Sequence, residues 1–329
     1  MHILITGASG MIGRKLTARL VGAGAGSLND RAIEKLTLID VVAPQEPEKF
    51  GGSVDSRATD IADAAAARAA VAGRPDVIFH LAAVVSGEAE TDFEKGFHVN
   101  LDGSRALIEA IRAVGDDYCP RLVFTSSIAV FGAPFPQSIA DDFHLTPLTS
   151  YGTQKAIVEL LLADYTRRGF VDAIGIRLPS IVVRPGKPNK AASGFFSSII
   201  REPLAGKEAV LPVPDTVLHW HASPRAAIGF LIHAAGVDRG NLGSRVNLTM
   251  PGVCCTVAEQ IAALRRVAGE RVAARIRREP DALVARIVAG WPSRFDPRRA
   301  LTLGFNGEAS FDDIIRVHIE DELQGKIAV

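Results

Sequence analysis

The five residues Tyr151-Gly-Thr-Gln-Lys155 contain a phenol and an amine at a spacing that lets them act together. On a helix, residues four apart lie on the same face, so Tyr151 and Lys155 are predicted to point into one site. A phenol with a pKa of about 10 is a poor base at neutral pH. A nearby ammonium group favours the phenolate and lowers that pKa. The spacing therefore predicts that Tyr151 accepts a proton from an alcohol and that Lys155 tunes it.

Two serines precede this segment in Phe124-Thr125-Ser126-Ser127, which is typical of the end of a buried strand. In open α/β sheets, ligands bind at the carboxyl ends of the strands. A serine hydroxyl at that edge can hydrogen-bond a substrate oxygen as it becomes a carbonyl. Because Tyr-x-x-x-Lys is common on helices, the spacing alone indicates little. Its position after a Ser-Ser strand end favours an active site.

The first strand of the chain runs directly into Gly7-x-x-Gly10-x-x-Gly13 at the start of a helix. Without a β-carbon, a backbone can turn tightly and approach a pyrophosphate, which then lies on the unpaired N–H groups of the helix. Three glycines in a turn also occur by chance. Here strand, loop and helix are in register, and the pattern predicts a dinucleotide site that includes Ser9, Met11 and Ile12.

Asp40 ends the second strand in Leu38-Ile39-Asp40. A carboxylate there accepts hydrogen bonds from the adenosine ribose and repels a 2′-phosphate, which favours NAD over NADP. Asp40 lies further from the glycines than the usual spacing of about 20 residues, and we interpret 22–35 as an inserted loop. A plain strand-end aspartate is the alternative. Asp60 and Ile61, between the predicted strands 36–39 and 77–81, are predicted to line the adenine pocket.

Short apolar runs alternate with helix-length segments through the first half of the chain. The predicted strands are 3–5, 36–39, 77–81, 122–124 and 173–177, and the predicted helices are 11–21, 61–71, 93–114 and 151–168. This alternation indicates an α/β fold, a doubly wound parallel sheet of the Rossmann type. We expect an NAD-binding domain at 1–177. Residues 178–329 are expected to form mostly a smaller substrate-binding region, with segments that return to the first domain.

The bulk composition excludes several classes of protein. The 329 residues are 47% hydrophobic and 22% charged, which is typical of a globular chain with a sizeable core. Because 37 basic residues balance 37 acidic ones, nucleic acid is not an expected partner. Cys119, Cys254 and Cys255 lack metal-ligand spacing with histidine, so we expect free thiols and no metal. No signal peptide or membrane span is recognisable, so a cytoplasmic protein that does not bind membranes is expected.

The sequence resembles the extended short-chain dehydrogenase/reductase family, which includes nucleotide-sugar epimerases, over nearly its whole length. The segments that carry the resemblance are Thr6–Gly13, His80–Ala83, Asn100–Gly103, Ser126–Gly132 and Tyr151–Lys155. The resemblance implies that Ser127, Tyr151 and Lys155 are catalytic, with Ser126 beside the substrate. It implies that Lys155 also holds the nicotinamide ribose. It further implies NAD contacts for Leu81, Ala82, Ala83, Asn100 and Pro179.

The segment after the predicted strand 173–177 departs from the epimerase pattern. Epimerases have an asparagine and a Gly-Pro pair there, whereas this chain has Arg177-Leu-Pro-Ser180 and then Arg184-Pro185-Gly186. The segments 84–88 and 223–227, together with Trp220, resemble a branch that oxidises C2 of a four-carbon sugar acid to a 2-oxo acid with NAD. A sugar acid needs a cation for its carboxylate. Arg184 is the leading candidate, with a solvated loop arginine as the alternative.

Other substrate contacts and other functions remain open on the sequence. Ser86 is predicted to donate a hydrogen bond to a substrate hydroxyl, and His219, Trp220 and His221 either line the pocket or simply pack. One rival function is a nucleotide-sugar epimerase or dehydratase with tightly bound NAD. Another is a non-catalytic NAD sensor, which has no reason to keep Ser127, Tyr151 and Lys155 together. The family resemblance implies a homodimer formed through two helices of each chain.

Overall fold

The computed structural model describes residues 1–22, 26–186 and 193–328, which fall into two compact units. The first comprises Met1–Val130, Thr149–Arg177 and Ile228–Leu248, and the second comprises Phe131–Leu148, Leu178–Ala227 and Thr249–Val329. The first unit therefore includes 228–248 in addition to residues before Leu178. Residues 131–148 belong to the second unit instead of the first, because Ile139–Ala140 pairs with Phe295–Asp296.

The strands, in chain order, are β1 His2–Thr6, β2 Ser27–Leu28, β3 Arg31–Ala32, β4 Lys35–Asp40, β5 Ser53–Ala58, β6 Val77–His80, β7 Arg121–Ser127, β8 Ile139–Ala140, β9 Asp172–Leu178, β10 Ser180–Ile181, β11 Ala209–Leu211, β12 Leu218–Ala222, β13 Asn247–Thr249, β14 Val253–Thr256, β15 Ile276–Arg278 and β16 Phe295–Asp296.

The α-helices are α1 Met11–Val21, α2 Ala64–Val71, α3 Ser86–Thr91, α4 Phe93–Gly96, α5 Gly103–Val114, α6 Ser150–Arg167, α7 Gly194–Leu204, α8 Pro224–Ala234, α9 Arg239–Leu242, α10 Val257–Ala268, α11 Glu270–Ala273, α12 Ala282–Ala289, α13 Arg298–Thr302 and α14 Phe311–Leu323. A π-helix at Phe97–Asp102 joins α4 to α5, and a 3₁₀ turn at Ile128–Val130 follows β7.

A seven-stranded parallel sheet forms the core of the first unit, in the order β13-β9-β7-β6-β1-β4-β5. The order reverses between β1 and β6, since β4 and β5 extend the sheet to one side of β1 and the later strands to the other. In doubly wound folds, the crevice at such a switch point binds the ligand. The loops after β1 and β6 therefore carry the candidate cofactor residues.

Apolar strands and amphipathic helices explain why this sheet forms. The strand cores of β1, β6 and β7 are fully buried, as expected of a sheet covered on both faces. One face of α5 (Leu107, Ile108 and Ile111) packs in a core cluster with Ile78 and Leu122. The edge strand β5 is polar and only half-buried, so hydrophobic patterning does not reveal it.

The second unit has its own hydrophobic core, built around α7, α10 and α14 with the three-stranded sheet β10-β12-β14. Phe196, Ile199, Leu264 and Ile314 are fully buried in this core. At the start of α10, the Thr256 side chain accepts from the amide of Glu259, while the Glu259 carboxylate accepts from that of Thr256. This capping box fixes the helix start.

Among the helices of the described residues, none has the length and apolar character that crossing a membrane requires.

Candidate active site

The glycine loop is closed on both sides by backbone, so side chains are excluded at Gly7 and Gly13. Gly7 has φ +73°, and a β-carbon there would lie 2.7 Å from the amide nitrogen of Ala82. A β-carbon on Gly13 would lie 2.3 Å from the carbonyl oxygen of Gly7. The first glycine therefore permits the turn, and the third permits helix α1 to pack against the loop.

The start of α1 offers free amide donors to an anion. Gly10 is the N-cap residue and, having no side chain, makes no capping hydrogen bond. The first N–H groups of a helix have no partner within the helix, and the helix dipole places partial positive charge there. Gly10 is exposed, and a β-carbon there would approach only the Gly7 carbonyl oxygen, at 3.3 Å. These residues fit a dinucleotide pyrophosphate.

Asp40 lies beside this loop at the end of β4. Its Oδ2 accepts a hydrogen bond from the Ser9 amide at 3.0 Å, and its Oδ1 accepts from the Val42 amide at 3.3 Å. The Ser9 hydroxyl donates to the Val42 carbonyl oxygen at 2.7 Å. Asp40 is partly exposed, so its carboxylate keeps acceptor capacity for the hydroxyls of a ribose. The side chain fits the predicted role in selecting NAD.

Asp60 and Ile61, predicted to line the adenine pocket, follow β5. The Asp60 carboxylate accepts from the Ala62 amide at 2.9 Å and lies 2.8 Å from Nε2 of His98. Ile61 is 4% exposed and packs in the core of the first unit. The structure thus gives Asp60 a neighbour, His98, that the sequence did not indicate, and it places Ile61 mainly in the core.

A buried chain of hydrogen bonds runs from the glycine loop to the central helix. Thr6 Oγ1 and Nδ1 of His80 lie 2.7 Å apart, and Nε2 of His80 lies 2.9 Å from the Ser104 hydroxyl. Because Ser104 donates to the Asn100 carbonyl oxygen, it accepts from His80, and Thr6 donates to His80. Burial lowers the pKa of His80 to about 3, so this histidine is neutral at physiological pH.

Asn100 is fully buried in the π-helix and serves as a connector. Its Oδ1 accepts from the Val84 amide at 2.9 Å, and its Nδ2 donates to Oε1 of Gln154 at 2.7 Å. The amide therefore joins the loop after β6 to α6. That loop holds Leu81, Ala82 and Ala83, which line the glycine turn or lie next to it. These contacts occupy the Asn100 side chain. Asn100 therefore affects cofactor binding through the position of the loop.

Tyr151 and Lys155 lie on one face of α6, as their spacing predicts. The Lys155 ammonium lies 5.7 Å from the centre of the Tyr151 ring and 4.6 Å from that of Phe124. It donates to the Thr125 carbonyl oxygen at 2.8 Å. The Ser127 side chain, at the end of β7, lies close enough to the Tyr151 hydroxyl to act on the pKa of the phenol. Serine, tyrosine and lysine therefore form one constellation, at the sheet edge where the cofactor residues lie.

Burial, more than mutual attraction, sets the charges of this constellation. Desolvation raises the pKa of Tyr151 to about 12, although the nearby Ser127 hydroxyl acts to lower it. Lys155 is 1% exposed, and burial lowers its pKa to about 7 against the opposing effect of Glu159. Desolvation of the phenol thus dominates the pKa of Tyr151 here, and the expectation that Lys155, joined by the positive charge of the nicotinamide, depresses that pKa stays a prediction.

Ser126 does not join the catalytic hydroxyls. Neighbouring side chains on a strand point to opposite faces, so Ser126 and Ser127 cannot both face Tyr151. Ser126 is 2% exposed and donates to the Glu159 carboxylate at 2.5 Å. The prediction that Ser126 contacts substrate therefore does not match its position. Ser86, the other predicted contact in this unit, is half-buried at the start of α3, which packs against α6.

Comparison with known proteins identifies the family of the chain. The model of the NAD dependent epimerase/dehydratase family matches residues 3–221. The chain belongs to this family. NAD is its cofactor, and it is an oxidoreductase of the extended short-chain dehydrogenase/reductase type.

Three relatives of this chain are informative. A D-erythronate dehydrogenase of Cupriavidus necator is 50% identical over 328 residues, which are 98% of both chains. A D-erythronate dehydrogenase of Haemophilus influenzae is 40% identical over 98% of this chain and 100% of its own length. A structure described as the nucleoside-diphosphate-sugar epimerase from Agrobacterium tumefaciens is 62% identical with a TM-score of 0.97, and it covers 100% of this chain and 96% of its own.

Arg184 and Pro179, two further predicted site residues, lie in the second unit. Arg184 is half-buried, and its pKa is lowered by burial and by the neighbouring Arg201. Among the described residues, no carboxylate lies within ion-pair distance of its guanidinium. It follows Val183, a buried β-branched residue with φ +54°, a strained conformation that is typical of functional sites. Pro179 is buried between β9 and β10.

The histidines of β12 are buried among aromatic side chains within the second unit. His219 stacks on Phe196 with ring centres 5.1 Å apart, and its Nε2 lies 2.7 Å from the Ser180 hydroxyl. His221 lies 2.9 Å from the Gln260 side-chain nitrogen. The Trp220 indole donates to the Met250 carbonyl oxygen at 3.2 Å. Burial lowers the pKa of His219 to about 4. Packing and hydrogen bonding thus both hold the side chains of β12.

Glu159 and Arg177 are the functional candidates that the sequence reasoning missed. Arg177 donates to both carboxylate oxygens of Glu159, with Nη2 to Oε2 at 2.7 Å. Both residues are almost fully buried. A signal was present, because Tyr151, Lys155 and Glu159 are spaced by four and share a helix face.

Proposed function

We propose that this chain is an NAD-dependent dehydrogenase that oxidises the C2 hydroxyl of a small sugar acid, D-erythronate or a close analogue, to a 2-oxo acid. The observation that carries the proposal is the grouping of the Tyr151 and Ser127 side chains with the buried Lys155 at the carboxyl end of β7. Two D-erythronate dehydrogenases that match nearly the whole chain support the choice of substrate.

Proton transfer in this proposal runs through Tyr151. The phenolate takes the proton of the C2 hydroxyl as the C–H bond of the same carbon breaks and a C=O bond forms. When bound, NAD supplies the acceptor for the hydride that leaves that carbon. With a pKa of about 12, only about one Tyr151 in 10⁵ is a phenolate at neutral pH, so positive charge beside the phenol is required for turnover. Lys155 provides one such charge when it is protonated.

Ser127 positions the reacting oxygen. Its hydroxyl lies beside that of Tyr151, so one substrate oxygen can contact both groups. A donor aimed at an oxygen that gains carbonyl character stabilises the transition state more than the ground state. Thr125 contributes by its backbone, since its carbonyl oxygen holds the Lys155 ammonium under the ring.

Arg184 is the proposed cation for the substrate carboxylate. A guanidinium binds a carboxylate through two parallel hydrogen bonds, which orients the acid as well as attracting it. The partly desolvated Arg184 has a second arginine beside it and no carboxylate partner among the described residues. Arg184→Leu is expected to raise KM for the acid by about 100-fold, on the scale of a lost charge-assisted pair, with little change in KM for NAD.

The direct experiment incubates the purified chain with NAD and each stereoisomer of erythronate and threonate, while NADH absorbance is recorded. We expect NADH with D-erythronate, and a loss of at least 10³-fold in kcat for Tyr151→Phe, in keeping with the loss of a general base and its alignment. Wild-type turnover by Tyr151→Phe would remove this residue from the role of base. Absence of NADH with every acid would refute the substrate class.

A nucleotide-sugar epimerase is the second candidate, because the protein with 62% identity is described as a nucleoside-diphosphate-sugar epimerase. An epimerase takes a hydride and returns it, so it produces no net NADH. Incubation with UDP-glucose, followed by chromatography of the nucleotide sugars, separates the two functions. A converted sugar without NADH would favour the epimerase, whereas NADH from an acid without sugar conversion favours the dehydrogenase.

A further inference from the structure

Three buried polar side chains of the first unit form a cluster that the proposed chemistry leaves unexplained. Glu159 is 1% exposed, Arg177 is 5% exposed and Ser126 is 2% exposed. Arg177 binds both oxygens of the Glu159 carboxylate, and the Ser126 hydroxyl donates to Oε1 at 2.5 Å. We call Ser126, Glu159 and Arg177 the buried tie.

The buried tie joins the elements that carry the catalytic groups. Ser126 precedes Ser127 on β7, Glu159 lies one helical turn after Lys155 on α6, and Arg177 lies on β9. Strand β7 and helix α6 meet a second time where the Lys155 ammonium binds the Thr125 carbonyl oxygen. Two polar contacts thus fix the position of Ser127 relative to Tyr151.

Glu159 is the acid one helical turn from Lys155. On its own helix, Lys155 is flanked by Tyr151 and Glu159. Strand β6 contributes the neutral His80, and β7 contributes the Phe124 ring and the Thr125 carbonyl oxygen. Strand β9 contributes Arg177, whose guanidinium forms an ion pair with Glu159. Among these groups, the Glu159 carboxylate is the anion that favours the ammonium form of Lys155.

The ammonium form matters because Tyr151 and Lys155 titrate as a pair. When the pair loses one proton, it becomes either phenolate with ammonium or phenol with amine. Only the first form contains both the base and the positive charge that stabilises it. Burial favours the second form, since it contains no charge.

We propose that Glu159 is a positioning residue of the reaction, whose carboxylate, held by Arg177 and Ser126, keeps Lys155 protonated beneath Tyr151. The proposal rests on the proposed function for its catalytic consequence, but the charge of Lys155 can be measured without substrate. A buried ion pair is poor evidence for a role in stability, since apolar pairs often replace such pairs without loss. The geometry instead connects this pair to the catalytic lysine.

The test measures the protonation of Lys155 by NMR in protein labelled with ¹³C at the lysine ε-carbon, with Lys155→Met to assign the signal. The parent signal is expected to titrate near pH 7, far below exposed lysines. Glu159→Gln removes the anion with little change in shape, and the midpoint is expected to fall by about one pH unit, a tenfold change in the equilibrium. The alkaline limb of kcat against pH should move down by a similar amount.

Two further variants keep the test decisive. If a single substitution in the ion pair unfolds the protein, the double variant Glu159→Leu/Arg177→Met should still fold, because it replaces the ion pair by an apolar pair. Its Lys155 midpoint should also fall. Asp172→Asn breaks a different ion pair of the same unit, Arg121–Asp172 at 2.7 Å, and should leave the midpoint unchanged.

An unmoved Lys155 midpoint in a folded Glu159 variant would overturn the inference, as would an equal shift in Asp172→Asn. The result is independent of the proposed function. If no sugar acid is oxidised but the midpoint moves, the role of Glu159 in the charge of Lys155 stands and the dehydrogenase proposal fails. If D-erythronate is oxidised but the midpoint does not move, the dehydrogenase proposal stands and the role of Glu159 fails.

Discussion

Gly10 and Gly13 lie three residues apart, yet the structure predicts opposite consequences for their replacement by alanine. A β-carbon on Gly13 would meet the Gly7 carbonyl oxygen at 2.3 Å and the Ala8 Cα at 2.7 Å. Both neighbours are backbone, so no rotamer change relieves the contact. A β-carbon on Gly10 would meet only the Gly7 carbonyl oxygen at 3.3 Å, on the exposed side of the loop.

The magnitudes follow from these distances. Overpacking of a rigid interior costs about 1–3 kcal/mol, and Gly13→Ala belongs at the upper end of that range. At roughly 2–4 °C per kcal/mol for a large domain, the cofactor-free Tm should fall by about 6–12 °C. Gly10→Ala should leave this Tm nearly unchanged. Because its methyl group lies where the backbone must approach the pyrophosphate, it should weaken NAD binding by about tenfold or more.

Thermal unfolding with and without NAD measures both effects. At a concentration of about 100 times Kd, NAD stabilises the parent by about 2.7 kcal/mol, and a tenfold weaker Kd reduces this to about 1.4 kcal/mol. Gly10→Ala should therefore keep the cofactor-free Tm and lose about half of the NAD-induced increase. A Gly13→Ala variant as stable as the parent, or a Gly10→Ala variant with full NAD stabilisation, would refute this account of the loop.

Three further outcomes are expected from the structure. Asp40→Asn removes the carboxylate that repels a 2′-phosphate, so the preference for NAD over NADP in kcat/KM should fall by at least about tenfold. An unchanged ratio would contradict the role of Asp40. Buried His80 and His219 have pKa values of about 3 and 4, below the value of about 6.5 in an unfolded chain. The free energy of unfolding should therefore fall as the pH drops below about 6.5, by about 2 kcal/mol for each histidine at pH 5. Urea titration at pH 7 and pH 5 measures this loss, and His80→Gln should reduce it. Thr256→Ala removes a capping box, so urea unfolding should show a loss of about 1 kcal/mol without a change in KM, and an unaltered midpoint would argue against the cap.

The first half of the fold was predictable because its periodicity is strong. Helix α1 has the bounds expected from the sequence, Met11–Val21, and the buried strands lie where the apolar runs are. Helix 93–114 was predicted as continuous, but the π-helix Phe97–Asp102 interrupts it where both ends of the Asn100 amide are engaged by Val84 and Gln154. Those partners are distant in sequence, so periodicity cannot reveal the interruption.

The candidate site was predictable in its residue types and only partly in its geometry. The i, i+4 spacing correctly places Tyr151 and Lys155 together, since it depends on helix geometry alone. Strand alternation, which the sequence already implied, would have separated Ser126 from Ser127. Residues 131–148 lie in the second unit because of a short parallel pairing, Ile139 with Phe295, across more than 150 residues of chain.

The charge state of the catalytic pair shows most clearly what a sequence leaves out. A spacing of four residues states that a phenol and an ammonium are neighbours, and attraction between them should then lower the Tyr151 pKa. Burial opposes this attraction, because it raises the pKa of Tyr151 and lowers that of Lys155. The size of its effect depends on every element packed around the two groups. Here burial dominates, since the pKa of Tyr151 is raised to about 12 and that of Lys155 is lowered to about 7. A buried acid such as Glu159 is therefore required to retain the ammonium, which is why its effect on Lys155 is measurable before any substrate is added.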